Sequence, residues 1–263
     1  MRVIYMGRKP AASEGLRYLV EKGIEVVVVV APIEDEKIFW KDRLVDTARY
    51  YGIPVVTDED LYSYIDGKSV PKSDLDLRGI DLVISFLFWR RIRKPLIELG
   101  KIGCINFHPA PLPDFRGLGG YNFAIYERLH YWGVSAHFVE ESIDTGDIIR
   151  VCKFEINPDE ETAYSLEQKS QRFLIDLFKE VIDELCEKGN LPRTPQRGGR
   201  YISKQDFEKL RKIQPEDAIE DILRKIRAFW YPPYPGASIE IRGREFTLID
   251  EKLLKEIGEK YHS

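Results

Sequence analysis

Residues Glu25–Ala31 read EVVVVVA, five valines in succession. A strand with one face in water alternates apolar and polar residues, whereas an unbroken apolar run of this length needs cover on both faces. The β-branched side chains also disfavour a helix. The run therefore calls for a sheet covered by helices, and the flanking pattern agrees. Arg2–Met6 is a short apolar strand, Ala11–Lys22 has helical spacing, Lys41–Tyr51 is amphipathic and Ile53–Val56 is strand-like. Leu82–Phe86 and Cys104–Phe107 are further strands flanking a helix near Pro95–Leu99. Gly120–Arg128 reads as a helix, and Val134–Val139 and Ile148–Phe154 read as strands. This order predicts an α/β fold with a Rossmann-like, doubly wound, mostly parallel sheet.

Thr162–Glu187 carries a long 3.6-residue periodicity that stops at Gly189, a suitable helix terminus. Residues 190–201 (NLPRTPQRGGRY) follow, with two prolines, two glycines and three arginines. We expect a main unit over residues 1–189, a linker over 190–201 and a small C-terminal α+β subdomain, OB-like or truncated, over 202–263. The last unit holds a helical pattern at Pro215–Ala228 and the aromatic stretch FWYPPYPG. Strands around Ser238–Ile241 and Glu245–Ile249 meet at Arg242-Gly243, as in a hairpin, and a charged tail helix closes the chain.

The 263 residues hold 40 Lys+Arg against 44 Asp+Glu, a net charge of −4. That balance does not favour a general nucleic-acid binder or a polybasic membrane protein. No apolar run is long enough for a membrane span, and because the opening MRVIYMG enters a strand pattern no signal peptide is expected. Cys104, Cys152 and Cys186 are an odd, scattered set, so a reducing cytoplasm is the expected compartment. His108, His130, His137 and His262 form no ligand cluster, and no metal is expected.

Nucleotide fingerprints are absent: the turn after the first strand is GRKPAASEG, and no P-loop occurs. The densest segment is INFHPAPLPDFRGLGG over residues 105–120. Asn106 and His108 share one side of a strand at its carboxyl end, where open parallel sheets bind ligands. A carboxamide can donate to a developing oxyanion while an imidazole moves a proton. The competing reading is a capped strand end and a turn. Asp144-Thr-Gly-Asp147 lies in a turn between strands, and Asp144 is a candidate partner for the histidine, although such a tetrapeptide is often only a turn.

Together these elements resemble the signature of the 10-formyltetrahydrofolate-dependent formyltransferases, the sugar-nucleotide and methionyl-tRNA types. The match comprises Asn106-Phe107-His108-Pro109, Leu112-Pro113-Asp114-Phe115-Arg116-Gly117 and Asp144-Thr145-Gly146-Asp147. MRVIYMG, GIPV, LVISFLFWRRI, GVSAHF and KIRAFWYPPYPGA fall in family order as well. The resemblance implies a formyl-transferring enzyme with N10-formyltetrahydrofolate as co-substrate and Asn106, His108 and Asp144 as the catalytic trio. It implies folate contacts at Phe86, Leu87, Phe88, Trp89 and Arg90, and at Val139, Glu140, Glu141 and Ile143. Arg116, Gly117 and Tyr121 are the expected acceptor-side residues, with a structural ion pair as the rival reading of Arg116.

Three acceptor branches follow from the resemblance. The glycinamide ribonucleotide branch has a Gly/Ser-rich phosphate loop where this chain has Arg8-Lys9-Pro10, and it lacks the C-terminal extension. The methionyl-tRNA branch carries a basic insertion where this chain reads APIEDEKIFWKDR, of mixed sign. Residues 1–190 are net −7 and residues 191–263 net +3. We therefore expect a nucleotide-linked 4-amino sugar as the partner, with transfer RNA as the alternative and a non-catalytic folate-binding regulator as a third reading. Phe229, Trp230, Tyr231 and Tyr234 are expected as a seam between the two units, with base stacking or a homodimer surface as rivals. Arg193, Arg197 and Arg200 are expected in a solvated linker.

Overall fold

The five-valine run forms β2 (Glu25–Val30), parallel to β1 (Arg2–Gly7). In this computed structural model, which describes residues 1–33, 42–69 and 75–262, its side chains are buried on both faces. Val26 and Val29 join one core cluster, Val28 and Val30 the other. The stretch at 34–41, within which most of the mixed-charge insertion falls, lies outside the described residues.

Between β1 and β2 runs α1 (Pro10–Glu21), whose first residue is proline, a favourable N1 choice. After β2 come α2 (Leu44–Tyr50), β3 (Val55–Val56), α3 (Asp58–Ile65), β4 (Leu82–Phe86), α4 (Leu96–Leu99) and β5 (Gly103–His108). Then follow β6 (Arg116–Gly117), α5 (Gly120–Tyr126), β7 (Tyr131–Phe138), β8 (Ile148–Glu155) and α6 (Ala163–Lys188). The main sheet has the order β3-β2-β1-β4-β5-β7-β8. It is parallel up to β5, and β7 and β8 add antiparallel strands. The chain reverses direction across the sheet between β1 and β4, and the carboxyl ends of such strands open a crevice.

Helices α1 and α6 pack one face and α3 and α4 the other. The long helix behaves as its periodicity requires: Leu166, Leu174, Leu177, Phe178, Val181, Ile182 and Leu185 are buried. Thr162 and Ser165 form a capping box at its start, and Gly189 takes the left-handed conformation at its end. Phe178 meets Tyr5, Phe86 and Phe107 edge-on, joining α6 to the three central strands. Burying one such side chain contributes about 1.5–3 kcal/mol.

Beyond α6 come β9 (Tyr201–Ile202), α7 (Lys204–Arg211), α8 (Ile219–Ala228), β10 (Ser238–Ile241), β11 (Arg244–Thr247) and α9 (Glu251–His262). Among the described residues the C-terminal unit has a single hairpin, β10-β11, which cannot close the barrel that an OB-like form requires. Arg242 and Gly243 both have positive φ (51° and 75°), the requirement of a two-residue hairpin turn. Helix α7 has too few apolar residues to show a period; its signal is the Ser203/Asp206 capping box.

The start of the aromatic stretch packs inward. Phe229 is buried against Phe207, and Tyr231 meets Tyr164 of α6. Phe229 and Tyr231 thus form a seam with the main unit, whereas Tyr234 is 45% exposed. Residues 190–201 are mostly exposed, as expected of a solvated stretch, yet they are tied down: Thr194 bridges to Ile148, and β9 pairs with β6. Proline and glycine suit an irregular path, but here that path is held to the main unit. Among the described residues no helix is long and apolar enough to cross a membrane.

Candidate active site

Strand register assembles the site. Ser85 of β4 pairs with Asn106 of β5, which pairs with His137 of β7. Register partners share a face of the sheet, so the three side chains stand in a row. The Ser85 hydroxyl donates to Oδ1 of Asn106 at 2.7 Å. His137 Nδ1 donates to the Phe138 carbonyl at 2.7 Å, which leaves Nε2 as the acceptor of an Asn106 Nδ2 proton at 3.1 Å. The carboxamide is thereby fixed in orientation, with one amide proton committed to His137.

His108 lies two residues along β5 on the same face. Its Nε2 donates to the Phe115 carbonyl at 2.9 Å, so the neutral ring carries its lone pair on Nδ1. Nδ1 stands 3.7 Å from Asp144 Oδ2, and His137 Nε2 stands 3.6 Å from Asp144 Oδ1. Ser135, the register partner of His108, accepts from Leu112 N–H at 2.9 Å and donates to the Ala110 carbonyl at 2.7 Å. The proline loop is thus anchored beside the imidazole.

Asp144 adopts φ 55°, a left-handed conformation that Asp tolerates better than most residues. Its carboxylate accepts the Gly117 N–H at 3.0 Å. Burial pushes the carboxyl pKa up, but His108, His137 and the Gly117 N–H together outweigh it and hold it well below the usual range. Gly146 permits the turn: a Cβ there would stand 2.0 Å from the Phe138 carbonyl oxygen.

These groups open on a cavity of about 520 Å³, within the range of about 300–1,000 Å³ typical of small-molecule sites. Asn106, His108 and Asp144 all line it, as do Leu87, Phe88, Trp89, Arg90, Val139, Glu140, Glu141, Ile143 and Gly117. Arg91 ties its two walls together by donating to the Glu141 carbonyl. Phe86, an expected contact, is instead core: strand alternation turns it toward Phe107 and Phe178. Tyr121 packs on Trp132, away from the cavity lining. Arg116 also lies off the lining, its guanidinium donating to the Gly198 and Gly199 carbonyls. Reading the sequence missed Ser85, His137, Lys9, Leu118 and Tyr201, which line the same cavity. For Ser85 and His137 the signal was strand register, which the sequence does not number.

Comparison with known proteins agrees with this geometry. The family model described as formyl transferase matches residues 1–182. Methionyl-tRNA formyltransferase of Kosmotoga olearia is 30% identical over 254 residues, covering 92% of this chain and 76% of that protein. Among solved structures, the Helicobacter canadensis N-formyltransferase in complex with folinic acid and dTDP-3-aminofucose has a TM-score of 0.70 at 24% identity, covering 92% of this chain and 84% of that one. A 4-N formyltransferase from Francisella tularensis has a TM-score of 0.75 at 20% identity, covering 95% and 97%. Those two likenesses concern the fold, whereas the family match spans well over half the chain. This chain therefore belongs to the formyl transferase family, and it is an enzyme that transfers a formyl group from N10-formyltetrahydrofolate to an acceptor.

Proposed function

We propose that the acceptor is the primary amine of a nucleotide-linked 4-amino-deoxy sugar. The observation that carries this choice is that six of the fifteen Lys and Arg residues in 191–263 are held in ion pairs. Arg193, Arg200, Arg211, Arg224, Lys225 and Arg227 are each paired with a carboxylate. Binding a nucleic-acid backbone draws on cations that can turn to phosphates, and these six are already engaged. The near-equal lengths matched with the Francisella 4-N formyltransferase support the same reading. Methionyl-tRNA is the second reading, favoured by the 30% identity to a methionyl-tRNA formyltransferase.

The cavity fits the folate donor in size and in its mixed apolar and polar walls. Leu87, Phe88, Trp89 and Arg90 would hold it from one side, and Val139, Glu140, Glu141 and Ile143 from the other. When bound, the donor supplies an activated formyl carbon. Asn106 offers its remaining amide proton to the oxygen that gains negative charge during attack, a contribution of about 2.7–4 kcal/mol for one such donor. His108 takes the amine proton at Nδ1 and returns it to the departing nitrogen, and Asp144 stabilises the imidazolium in between. The Gly117 N–H keeps that carboxylate in place.

The test is to incubate the protein with 10-formyltetrahydrofolate and a UDP- or dTDP-linked 4-amino sugar, and to follow tetrahydrofolate release and the formylated product. Product with the sugar and none with charged initiator tRNA is the expected result. The reverse would replace the acceptor while leaving the chemistry intact.

A further inference from the structure

We infer that residues 194–202 are a strap that sets the spacing of His108 and Asp144, with Gln196 as the positioning residue. One part of the strap holds the carboxylate. Thr194 and Ile148 exchange two backbone hydrogen bonds, at 2.8 and 2.9 Å. Next to them the Gln196 side-chain amide donates to the carbonyls of Asp144 (3.0 Å) and Gly146 (2.7 Å). A left-handed aspartate is not a conformation that its own backbone favours, so two external bonds on either side of Thr145 give the turn a fixed seat.

The other part holds the imidazole. Arg116 N–H donates to the Arg200 carbonyl at 2.9 Å, and Leu118 N–H donates to the Ile202 carbonyl at 3.1 Å. Gly199 lies against Pro113, where a Cβ would stand 2.1 Å from the carbonyl oxygen. The short β6 segment so gripped is flanked by Phe115, whose carbonyl accepts from His108, and it contains Gly117, whose N–H binds Asp144. One nine-residue segment therefore reaches both members of the pair.

The chemistry of Gln196 points the same way. Among the described residues its Oε1 is buried without a hydrogen-bond partner. Such an atom costs stability, and a leucine would fill the space without that cost. What leucine lacks is the pair of N–H donors aimed at Asp144 and Gly146. Positioning through a second layer of residues is often as consequential as the catalytic groups themselves, since a misplacement of about 1 Å can cost about 10²-fold in rate.

The test uses the full-length chain carrying Gln196→Leu, with Gln196→Glu as a second variant that keeps the shape and reverses the donor. Three measurements are made: Asp144 titration by carboxyl carbon NMR, tetrahydrofolate affinity by tryptophan fluorescence, and kcat with the donor KM. The expected result is an Asp144 midpoint that rises toward the ordinary carboxylate value, unchanged tetrahydrofolate affinity, and a kcat lower by up to about 10²-fold with the donor KM preserved. The first two measurements need no acceptor, so an error in the acceptor assignment leaves them decisive. A folded variant whose Asp144 midpoint matches the wild type overturns the proposal, as does a variant that loses tetrahydrofolate affinity in step with kcat.

Discussion

Nε2 of His137 accepts a hydrogen bond from the Asn106 carboxamide at 3.1 Å while standing 3.6 Å from the Asp144 carboxylate. One buried imidazole therefore touches two of the three groups to which the chemistry is assigned. Replacing His137 with alanine frees the carboxamide to rotate. We expect kcat to fall by up to about 10²-fold with a smaller change in donor KM. A glutamine, which can also accept from Asn106, should restore part of the loss. Steady-state kinetics of the two variants check this, and equal rates for alanine and wild type would remove His137 from the mechanism.

His108→Ala and Asp144→Asn should each lose about 10²–10⁴-fold in turnover and remain folded, because proton transfer contributes rates of that order. Circular dichroism alongside kcat separates the two effects. Turnover near the wild-type rate in either variant contradicts the assigned roles.

Asp144 also links stability to pH. Its carboxyl pKa is held below the unfolded-state value of 3.8, so its contribution is complete above that value and is lost as pH falls toward the folded one. Urea unfolding between about pH 3 and 7 should show the wild type losing more stability on acidification than Asp144→Asn, which has no such carboxyl to protonate. Parallel pH curves would contradict the electrostatic account of the site.

Trp89 is 41% exposed at the cavity wall, with the Arg8 guanidinium carbon 5.2 Å from its ring centre. A heterocycle stacked on such a ring gains about 1–3 kcal/mol. Trp89→Ala should therefore raise the folate KM by about 5- to 150-fold and lower kcat much less. An unchanged KM would make Trp89 a structural side chain.

Gly146→Ala brings a methyl group against the Phe138 carbonyl. Overpacking of this kind costs about 1–3 kcal/mol, and the turn it distorts carries Asp144. Chemical denaturation should show the stability loss, and activity should fall further than the stability loss alone explains. A neutral substitution would mean that the turn moves freely.

Much of this was legible in the sequence. The valine run, the period of α6 and the Arg242-Gly243 turn each express a local rule: two-sided burial, one helical face, or positive φ. Asn106 and His108 were readable as neighbours because alternation along a single strand places them together. His137 was not, because only the antiparallel register of β5 and β7 sets it opposite Asn106. Gln196 lay within an apparent linker whose composition suggests mobility, yet tertiary hydrogen bonds fix it on the Asp144 turn. Phe86 and Tyr121 show the converse, since a motif names residues without saying which way they face. Local periodicity and turn chemistry thus determined the elements, and the resemblance of the motifs named the candidate reactive groups. Which of those groups meet was decided by strand register and by contacts between residues 52 and 83 positions apart in the chain, energies that no local pattern encodes.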